Sequence, residues 1–231
     1  MLRYHPLQGI YAITDSHLLP DDTQLFDAVE AALRGGLACL QYRDKQADAS
    51  KALRQARGLS ELCKYYSTPL IINDDVQLAK ACQAEGIHLG QDDGSLIHAR
   101  EYLGKQILIG RTCHASLQLA EQAAAEGADY LAFGRCYPSQ TKPFAPAARP
   151  GIFSQVAHLG LPRVAIGGIN TPGRAAEIHA AGAELIAAVE GIFAQPNPEV
   201  AVRSFHQALE TSFSSNSSPT EVHHDSLSRT F

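Results

Sequence analysis

Short apolar runs alternate with amphipathic helical patterns along nearly the whole chain. In the helical patterns the apolar residues recur at intervals of three and four, as at Leu25, Val29, Ala32 and Leu33. The short runs predict eight strands, which span residues 9–14, 38–43, 69–73, 87–89, 107–110, 130–134, 163–166 and 185–189. Because parallel neighbours in a sheet need a crossover connection, this alternation predicts a parallel sheet covered by helices.

Eight strand–helix units within about 200 residues favour a closed (β/α)8 TIM barrel, an α/β fold that forms a single domain. We assign residues 1–210 to this barrel. An open, doubly wound sheet is the alternative architecture. It is disfavoured because residues 14–16, after the first predicted strand, are Thr-Asp-Ser, whereas dinucleotide-binding sheets have a Gly-x-Gly-x-x-Gly turn at this point.

Two further patterns mark boundaries within the chain. Gly36, Gly86, Gly127 and Gly182 each stand between a helical pattern and a strand, where a left-handed glycine can end the helix. Residues 211–231 are rich in Ser, Thr and Asn and have almost no apolar periodicity. We predict that this segment is a disordered polar tail outside the barrel.

The charge balance narrows the classes of partner. The chain has 231 residues, and 19 Lys+Arg against 24 Asp+Glu give a net charge of −5. General binders of nucleic acid or anionic membranes are usually basic, so we expect neither as a partner. We expect small-molecule substrates instead, and a concentrated positive pocket wherever the protein binds an anion.

Three features indicate a cytoplasmic location. No run approaches the roughly 20 apolar residues of a membrane helix, and the amino terminus lacks the apolar region of a signal peptide. The five cysteines are odd in number, widely spaced and without a Cys-x-x-Cys pair, which is typical of reduced thiols. A homodimer is compatible with the sequence, which contains no feature that specifies one.

Polar residues follow most of the predicted strands, at the end of a TIM barrel where active sites lie. Gln41, Arg43 and Lys45 are spaced by two, so an extended chain directs all three to one side. An amide and two cations on one face suit a phosphate or diphosphate. The alternative is a solvated strand end with exposed charges.

Two carboxylates at neighbouring strand ends indicate a metal. Asp74 follows the third predicted strand and Asp93 the fourth. Proteins usually hold Mg²⁺ through one or two carboxylates together with substrate phosphate oxygens and water, so we predict one Mg²⁺ here. Helix capping is the alternative for each aspartate. We predict capping for Asp75, which precedes an apolar helical pattern that begins at Val76.

Glycines after the last two strands indicate a second anion site. Gly167 and Gly168 follow strand seven, and Glu190 and Gly191 follow strand eight, where many barrels bind phosphate through backbone N–H groups. Cys113 and His114 are adjacent and would point in opposite directions on a strand, so they do not form a nucleophile–base pair. We predict that Cys113 lies in the core or supports the site from behind the residues that contact substrate.

Taken in order, these segments resemble the thiamine-phosphate synthase (thiamine-phosphate pyrophosphorylase) family over roughly residues 9–210. The resemblance is carried by Tyr-Ala-Ile-Thr-Asp at 11–15, Gln-Tyr-Arg-Asp-Lys at 41–45, Ile-Asn-Asp-Asp at 72–75, Ile-His-Leu-Gly-Gln-Asp-Asp at 87–93, Gly-Arg-Thr-Cys-His at 110–114, Ala-Asp-Tyr at 128–130, Phe-Gly at 133–134, Thr-Lys at 141–142 and Ala-Ile-Gly-Gly-Ile at 165–169. Their order and spacing together are highly specific.

The resemblance implies a transferase that joins hydroxymethylpyrimidine diphosphate to (carboxy)hydroxyethylthiazole phosphate, releases diphosphate and uses Mg²⁺. It implies that the pyrimidine diphosphate is bound by Gln41, Tyr42, Arg43, Asp44, Lys45, Asn73, Thr112 and Lys142. The catalytic residues among these would be Arg43, Lys45, Thr112 and Lys142. The implied Mg²⁺ ligands are Asp74 and Asp93. The implied thiazole phosphate site consists of Ser139, Gln140, Thr141, Gly168, Val189 and Glu190.

The implied mechanism is dissociative: the C–O bond to diphosphate breaks, and the thiazole nitrogen captures the stabilised pyrimidine methyl cation. It needs no protein nucleophile, in agreement with the sequence. Ser139 stands where the family commonly has Thr, and Thr112 stands where it commonly has Ser. Both positions therefore keep a hydroxyl group. Glu190 stands where a small residue is usual, so its carboxylate would have to point away from a bound phosphate.

Two rival functions remain open at this point. A related barrel without synthase activity, such as a thiazole tautomerase, need not keep the diphosphate and metal cluster. A non-catalytic sensor of a phosphate ligand would need only the site after strands seven and eight. The presence of both Asp74 and Asp93 favours the synthase over either.

Overall fold

Eight parallel strands pair in chain order and close into a barrel, because the last strand pairs with the first. A computed structural model describes residues 7–138 and 147–215. The strands are β1 (Gly9–Ile13), β2 (Cys39–Tyr42), β3 (Leu70–Asn73), β4 (Gly86–Leu89), β5 (Leu108–His114), β6 (Tyr130–Phe133), β7 (Arg163–Ile166) and β8 (Leu185–Ala188). The predicted TIM barrel is confirmed, and the open sheet is excluded.

Helices connect the strands and surround the barrel. In the described residues they are α1 (Asp22–Arg34), α2 (Ala49–Tyr65), α3 (Val76–Ala81), α4 (Leu96–Leu103), α5 (Leu117–Ala125), α6 (Gly151–Gln155), α7 (Pro172–Ala180), α8 (Glu190–Phe193) and α9 (Pro198–Ser215), with a 3-10 turn at Ala157–Leu159. The predicted cap of α3 is confirmed, because the Asp75 carboxylate accepts the N–H groups of Gln77 and Leu78. No described helix combines the length and apolar composition needed to cross a bilayer.

Side chains alternate between two apolar layers, as strand geometry requires. Tyr11, Ile71, Leu108 and their neighbours fill the interior of the barrel. Leu40, Ile72 and the other residues of opposite parity pack between the strands and the helices. The interior layer lies directly beneath the carboxyl ends of the strands and forms the floor of the cavity that opens there.

The fifth strand is longer than predicted. It continues to His114, and its register with β6 shifts between Thr112 and His114. A bulge of this kind inserts one residue and redirects the side chains that follow. As a result Cys113 is fully buried, as predicted, while His114 lines the cavity.

Three of the four boundary glycines have the predicted left-handed conformation, with φ of +97° at Gly36, +88° at Gly127 and +107° at Gly182. Gly86 differs and belongs to β4. A Cβ at Gly86 would lie 2.3 Å from Cδ1 of Ile71 and 2.9 Å from the Leu108 carbonyl oxygen. Glycine is therefore required at this position by close packing of neighbouring strands.

The carboxyl-terminal helix closes the outer ring. Val202, Phe205 and Leu209 of α9 are buried, and the ring nitrogen Nε2 of His206 lies 2.7 Å from the Gly36 carbonyl oxygen. The helix runs to Ser215, so the first five residues of the predicted tail are helical. Adding a residue to an existing helix costs much less free energy than nucleating a new helix. The polar composition of residues 211–215 therefore does not prevent them from continuing α9. Residues 216–231, the rest of the predicted tail, lie outside the described residues.

Candidate active site

An open cavity of about 1310 Å³, which includes the solvent in its mouth, lies at the carboxyl ends of the strands. All eight strands or the segments after them contribute to its lining. The predicted site residues that line it are Gln41, Arg43, Lys45, Asn73, Asp74, Asp93, Thr112, Gly168, Val189 and Glu190. The fold therefore brings residues spread over 150 positions of sequence into one space.

Two predicted substrate-binding residues do not line this cavity. Tyr42 belongs to the layer between strands and helices, where its hydroxyl donates to Oε1 of Gln55 at 2.7 Å. The Asp44 carboxylate accepts the N–H groups of Gln46 and Ala47 and pairs with Lys51 at 3.0 Å. Both have the strand parity opposite to Gln41 and Arg43, so their side chains support the site from outside the cavity.

Four further predicted residues, Ser139, Gln140, Thr141 and Lys142, lie outside the described residues. Their assignments stay predictions. The described chain leads to them from β6 through Pro138 and continues from residue 147. Tyr137 and Pro138 pack against Gly168, because a Cβ at that glycine would lie 2.5 Å from the Pro138 carbonyl oxygen.

The segment that carries Arg43 is fixed by the first strand. The Arg43 N–H donates to Oγ1 of Thr14 at 2.8 Å, and the Thr14 hydroxyl donates to the Arg43 carbonyl oxygen at 3.3 Å. Thr14 is buried, so this pair of bonds is shielded from water. The regular strand ends at Tyr42, but the alternation continues far enough for Gln41, Arg43 and Lys45 all to face the cavity.

Asp74 adopts a left-handed conformation, with φ of +63°, at the turn from β3 into α3. Aspartate tolerates this conformation better than most residues. Its Oδ2 accepts a hydrogen bond from Nδ2 of Asn73 at 2.6 Å and lies 3.5 Å from Nζ of Lys45. Burial, followed by the hydrogen-bonding contact and repulsion from Asp93, raises the pKa of the Asp74 carboxyl above its usual range. The Asp74 and Asp93 carboxylates therefore lie close enough to repel each other.

The loop that carries Asp93 is anchored to β5. Arg111, only 8% exposed, donates to the carbonyl oxygens of Gly94 at 2.9 Å and Gln91 at 3.3 Å. The Gln91 side-chain amide donates in turn to the Thr112 carbonyl oxygen. Within the loop, Oδ2 of Asp93 accepts the Gly90 N–H at 2.9 Å. These bonds hold the Asp93 carboxylate at the cavity wall.

The expected positive pocket is not found among the described residues. Three cationic side chains line the cavity, Arg43, Lys45 and Arg135. Four carboxylates accompany them, those of Asp15, Asp74, Asp93 and Glu190. The barrel brings these carboxylates beside the cations of the strand ends, and their negative charge offsets the predicted positive charge. An incoming diphosphate therefore needs further positive charge.

The two glycine-containing loops meet at the opposite side of the cavity. Gly167 and Gly168 have φ of +98° and +67°, conformations open to glycine. The carbonyl oxygen of Gly168 is bound by Nη1 of Arg174 at 2.7 Å. Gly191, after Glu190, has so little space that a Cβ would lie 3.1 Å from the Ile169 carbonyl oxygen. Glycine thus allows the loops after β7 and β8 to touch.

Glu190 lines the cavity, but its side chain is exposed at the mouth. It is the first residue of α8, and its carbonyl oxygen accepts from Nε2 of Gln195 at 3.1 Å. An exposed carboxylate can point into solvent while the backbone N–H groups of the same turn face the cavity. The unusual residue at this position is therefore compatible with a nearby phosphate.

Three polar residues on the cavity floor were not among the predicted site residues. Tyr11, His88 and Tyr130 are 1–8% exposed, and Tyr11 and His88 also line the cavity. The alternation of the strands contains the signal, because His88 lies two residues before Gly90 and has the same parity. Polar residues at inward positions of a barrel strand are candidates for the site even when they precede the strand end.

Most of the chain is similar to proteins of one known family. The family described as "Thiamine monophosphate synthase" matches residues 10–192. A thiamine-phosphate synthase of Marinobacter nauticus is 52% identical over 196 residues, 85% of this chain and 87% of that protein. The thiamine-phosphate synthase of Methylobacillus flagellatus is 49% identical over 202 residues, 87% of this chain and 95% of that protein.

A similar structure has also been solved. The thiamine phosphate pyrophosphorylase from Pyrococcus furiosus superposes with a TM-score of 0.77 at 28% sequence identity. The match covers 89% of this chain and 96% of that one. The likeness therefore extends over most of the chain.

Proposed function

The chain belongs to the thiamine monophosphate synthase family, whose members are transferases, and from this premise we propose how its cavity performs the reaction. Hydroxymethylpyrimidine diphosphate binds beside β2, β3 and β5, and the thiazole phosphate binds at the loops after β7 and β8. The observation that carries the proposal is the placement of Arg43, Lys45 and the Asp74–Asp93 pair in one cavity with the Gly168 loop.

The donor set fits Mg²⁺. Asp74 and Asp93 provide oxygen ligands only, and the described chain contains no group of three or more His, Cys, Asp or Glu side chains that could hold a metal ion. Two carboxylates leave room for diphosphate oxygens and water, which Mg²⁺ usually keeps in its coordination sphere. The contact between the two carboxylates is electrostatically unfavourable without a cation. Bound Mg²⁺ would supply positive charge to the leaving diphosphate.

The chain's own residues bind and orient the diphosphate. Arg43 presents a guanidinium group that can bind two phosphate oxygens at once, while Lys45 adds a second cation. Lys45 is exposed and lies beside Asp74, so its ammonium group can move toward an incoming anion. The Thr112 hydroxyl offers a further donor on the opposite wall. Lys142, outside the described residues, is proposed to complete the positive charge.

The thiazole phosphate binds where the Gly168 and Glu190 turns meet. Binding relies on backbone N–H groups, since the nearest carboxylate, Glu190, would repel the phosphate. Ser139, Gln140 and Thr141 are proposed to cover this substrate. We propose that in this arrangement the thiazole nitrogen faces the pyrimidine methylene.

The reaction needs no bond to the protein. The C–O bond between the methylene carbon and diphosphate breaks with both electrons leaving on diphosphate, and the thiazole nitrogen lone pair forms the new C–N bond. Cys113 is buried with its thiol pKa raised by burial to about 12, so it is not available as a nucleophile. Holding the substrates in line and excluding water account for catalysis together with charge stabilisation.

The purified chain tests this proposal when it is given both substrates with and without Mg²⁺. We expect thiamine phosphate and inorganic diphosphate in equal amounts, and loss of product when EDTA removes the metal. A folded protein that makes no product with Mg²⁺ present would contradict the proposal. Isomerisation of the thiazole substrate alone would instead favour a tautomerase, and binding of thiazole phosphate without turnover would favour a sensor.

We also propose a cytoplasmic location, supported by five cysteines that are all free, four of them buried. Small molecules are the proposed partners, without nucleic acid or membrane. Oxidation of the purified protein in air, followed by mass spectrometry of its thiols, tests the first point. Rapid formation of native disulfides would argue for an oxidising compartment.

A further inference from the structure

A chain of hydrogen bonds crosses the floor of the cavity and joins five side chains from five strands. Nε2 of Gln41 donates to the Tyr11 hydroxyl at 2.7 Å, and the Tyr11 and Tyr130 hydroxyls are 2.9 Å apart. The Tyr130 hydroxyl lies 3.2 Å from Nδ1 of His88, whose Nε2 lies 2.9 Å from Oγ1 of Thr112. The chain thus connects two residues of the proposed diphosphate substrate site through three residues that have no assigned role.

The first bond sets the direction of every other bond in the chain. An amide nitrogen can only donate, so the Tyr11 hydroxyl accepts from Gln41; the Tyr11 proton is then satisfied by donating to Tyr130, the other partner of this buried hydroxyl. Tyr130 then accepts from Tyr11 and donates to Nδ1 of His88. With Nδ1 as acceptor, the neutral imidazole carries its proton on Nε2 and donates to Thr112.

Burial and packing keep the chain in place. Gln41, Tyr11, Tyr130 and His88 are 1–8% exposed, and the His88 and Tyr130 rings stack with centroids 5.7 Å apart. Gly110 lies directly beneath Tyr130, since a Cβ there would be 2.0 Å from Cζ and 2.4 Å from the hydroxyl oxygen. In such buried surroundings a broken hydrogen bond is costly, so the direction of the chain is maintained.

The end of the chain determines what Thr112 offers a ligand. Its oxygen is occupied as an acceptor by His88, so its hydroxyl proton is available to the cavity. A hydroxyl that donates toward diphosphate stabilises the charge that develops when the C–O bond breaks. A hydroxyl turned the other way would place its lone pairs against the phosphate oxygens.

We infer that His88, directed by Tyr130 and Tyr11, is a positioning residue that holds the Thr112 hydroxyl as a donor toward the leaving diphosphate. The expected effect of this residue on kcat rests on the proposed function. The tautomer of His88 does not depend on that function, and it is measured without substrates.

The tautomer is read by long-range ¹⁵N–¹H correlation NMR of the uniformly labelled, unliganded chain. We expect a protonated Nε2 and an unprotonated Nδ1 for His88, with the signal assigned by its loss in His88→Gln. The exposed His98 provides a control, since its ring should show the mixture of tautomers typical of a solvated imidazole. A His88 that carries its proton on Nδ1 would mean that the chain runs in the opposite direction and would overturn the inference.

Steady-state kinetics test the consequence. His88→Leu removes the donor to Thr112, whereas His88→Gln keeps an N–H that reaches the same oxygen. We expect kcat to fall about tenfold in His88→Leu, the size of one hydrogen bond, with the KM for thiazole phosphate unchanged and partial recovery in His88→Gln. His98→Leu serves as the control for loss of a histidine and should leave kcat unchanged.

A double-mutant cycle separates positioning from packing. If His88 acts through Thr112, His88→Leu should lower kcat little further in a Thr112→Val background. Fully additive losses would show that His88 contributes only to packing and would overturn the inference even where the NMR result agrees. A wild-type chain without synthase activity would instead contradict the proposed function while the NMR result still stood.

Discussion

The ammonium nitrogen of Lys45 lies 3.5 Å from Oδ2 of Asp74, the same oxygen that accepts the Asn73 amide at 2.6 Å. Despite these two favourable partners the pKa of Asp74 is raised, because burial and the neighbouring Asp93 carboxylate outweigh them. The pair of aspartates is thus kept close together at an electrostatic cost. A bound divalent cation would offset that cost and would leave Lys45 free to contact the diphosphate.

Asp93→Asn removes one of the two carboxylates while preserving the size of the side chain. We expect it to weaken the binding of inorganic diphosphate in the presence of Mg²⁺ by tenfold or more, about 1.4 kcal/mol, since a neutral amide is a poor ligand for a hard cation. Binding of thiazole phosphate should be nearly unchanged. Isothermal titration calorimetry measures both, with the adjacent, exposed Asp92→Asn as the control. Equal loss of both ligands would contradict the division into two subsites.

Asp44→Asn tests the structural role of a residue that does not line the cavity. Burial raises the pKa of the Asp44 carboxyl, but the hydrogen bonds from Gln46 and Lys51 outweigh it and leave the pKa below its usual range. A lowered folded-state pKa stabilises the protein above the unfolded pKa of about 4, and this contribution is lost as the pH falls. We expect the variant to unfold about 1–2 kcal/mol more easily at neutral pH.

Urea denaturation at several pH values measures this effect. The stability difference between wild type and Asp44→Asn should shrink as the pH falls below about 4, because the wild-type carboxylate is then protonated too. A difference that stays constant with pH would contradict the proposed ionic contribution. The KM for pyrimidine diphosphate should change by less than about threefold, and a larger change would restore Asp44 as a substrate-binding residue.

Gly110→Ala should destabilise the barrel severely for a single methyl group. The new Cβ would lie 2.0 Å from Cζ of Tyr130, and neither the ring nor the adjacent strands can move without disturbing the floor. Overpacking of this kind costs about 1–3 kcal/mol or more. Thermal unfolding measures it, with Gly173→Ala as the control, because a Cβ at Gly173 on α7 meets nothing within 4 Å. A Gly110→Ala chain as stable as wild type would show that the floor is loosely packed.

The thiols should react slowly in the folded protein. Burial raises the pKa of Cys136 to about 11 and that of Cys113 to about 12, so at pH 8 only about one thiol in a thousand, or fewer, is ionised. We expect a disulfide reagent to label Cys136, the only one of the five that is not fully buried, before the others. Mass spectrometry of the labelled peptides gives the order, and fast labelling of Cys113 would contradict its core position.

Cys113→Ala separates packing from chemistry. We expect a stability loss of about 1–2 kcal/mol from the smaller side chain, with kcat unchanged within about threefold. Loss of activity by several orders of magnitude in a folded variant would mean that the thiol takes part in the reaction. The mechanism proposed above assigns it no such part.

Much of the fold was predictable because its signals are local. Alternating apolar runs and helical patterns, the caps at Asp75 and the glycines at helix ends all depend on neighbours within a few residues. The limits of elements were less predictable. The bulge that extends β5 past Thr112 arises from pairing with β6, and α9 passes residue 211 because its preceding turns pack against the barrel.

By itself the sequence determined the barrel, the family and the identity of the residues at the strand ends, because a parallel sheet requires every carboxyl end to meet at one edge. Only the tertiary structure decided which of these residues share the cavity, since strand parity turns Tyr42 and Asp44 away from Gln41 and Arg43. It also decided the balance of charge at the mouth and the hydrogen-bond chain from Gln41 to Thr112. Both depend on distances between strands that are far apart in sequence, which no local pattern encodes.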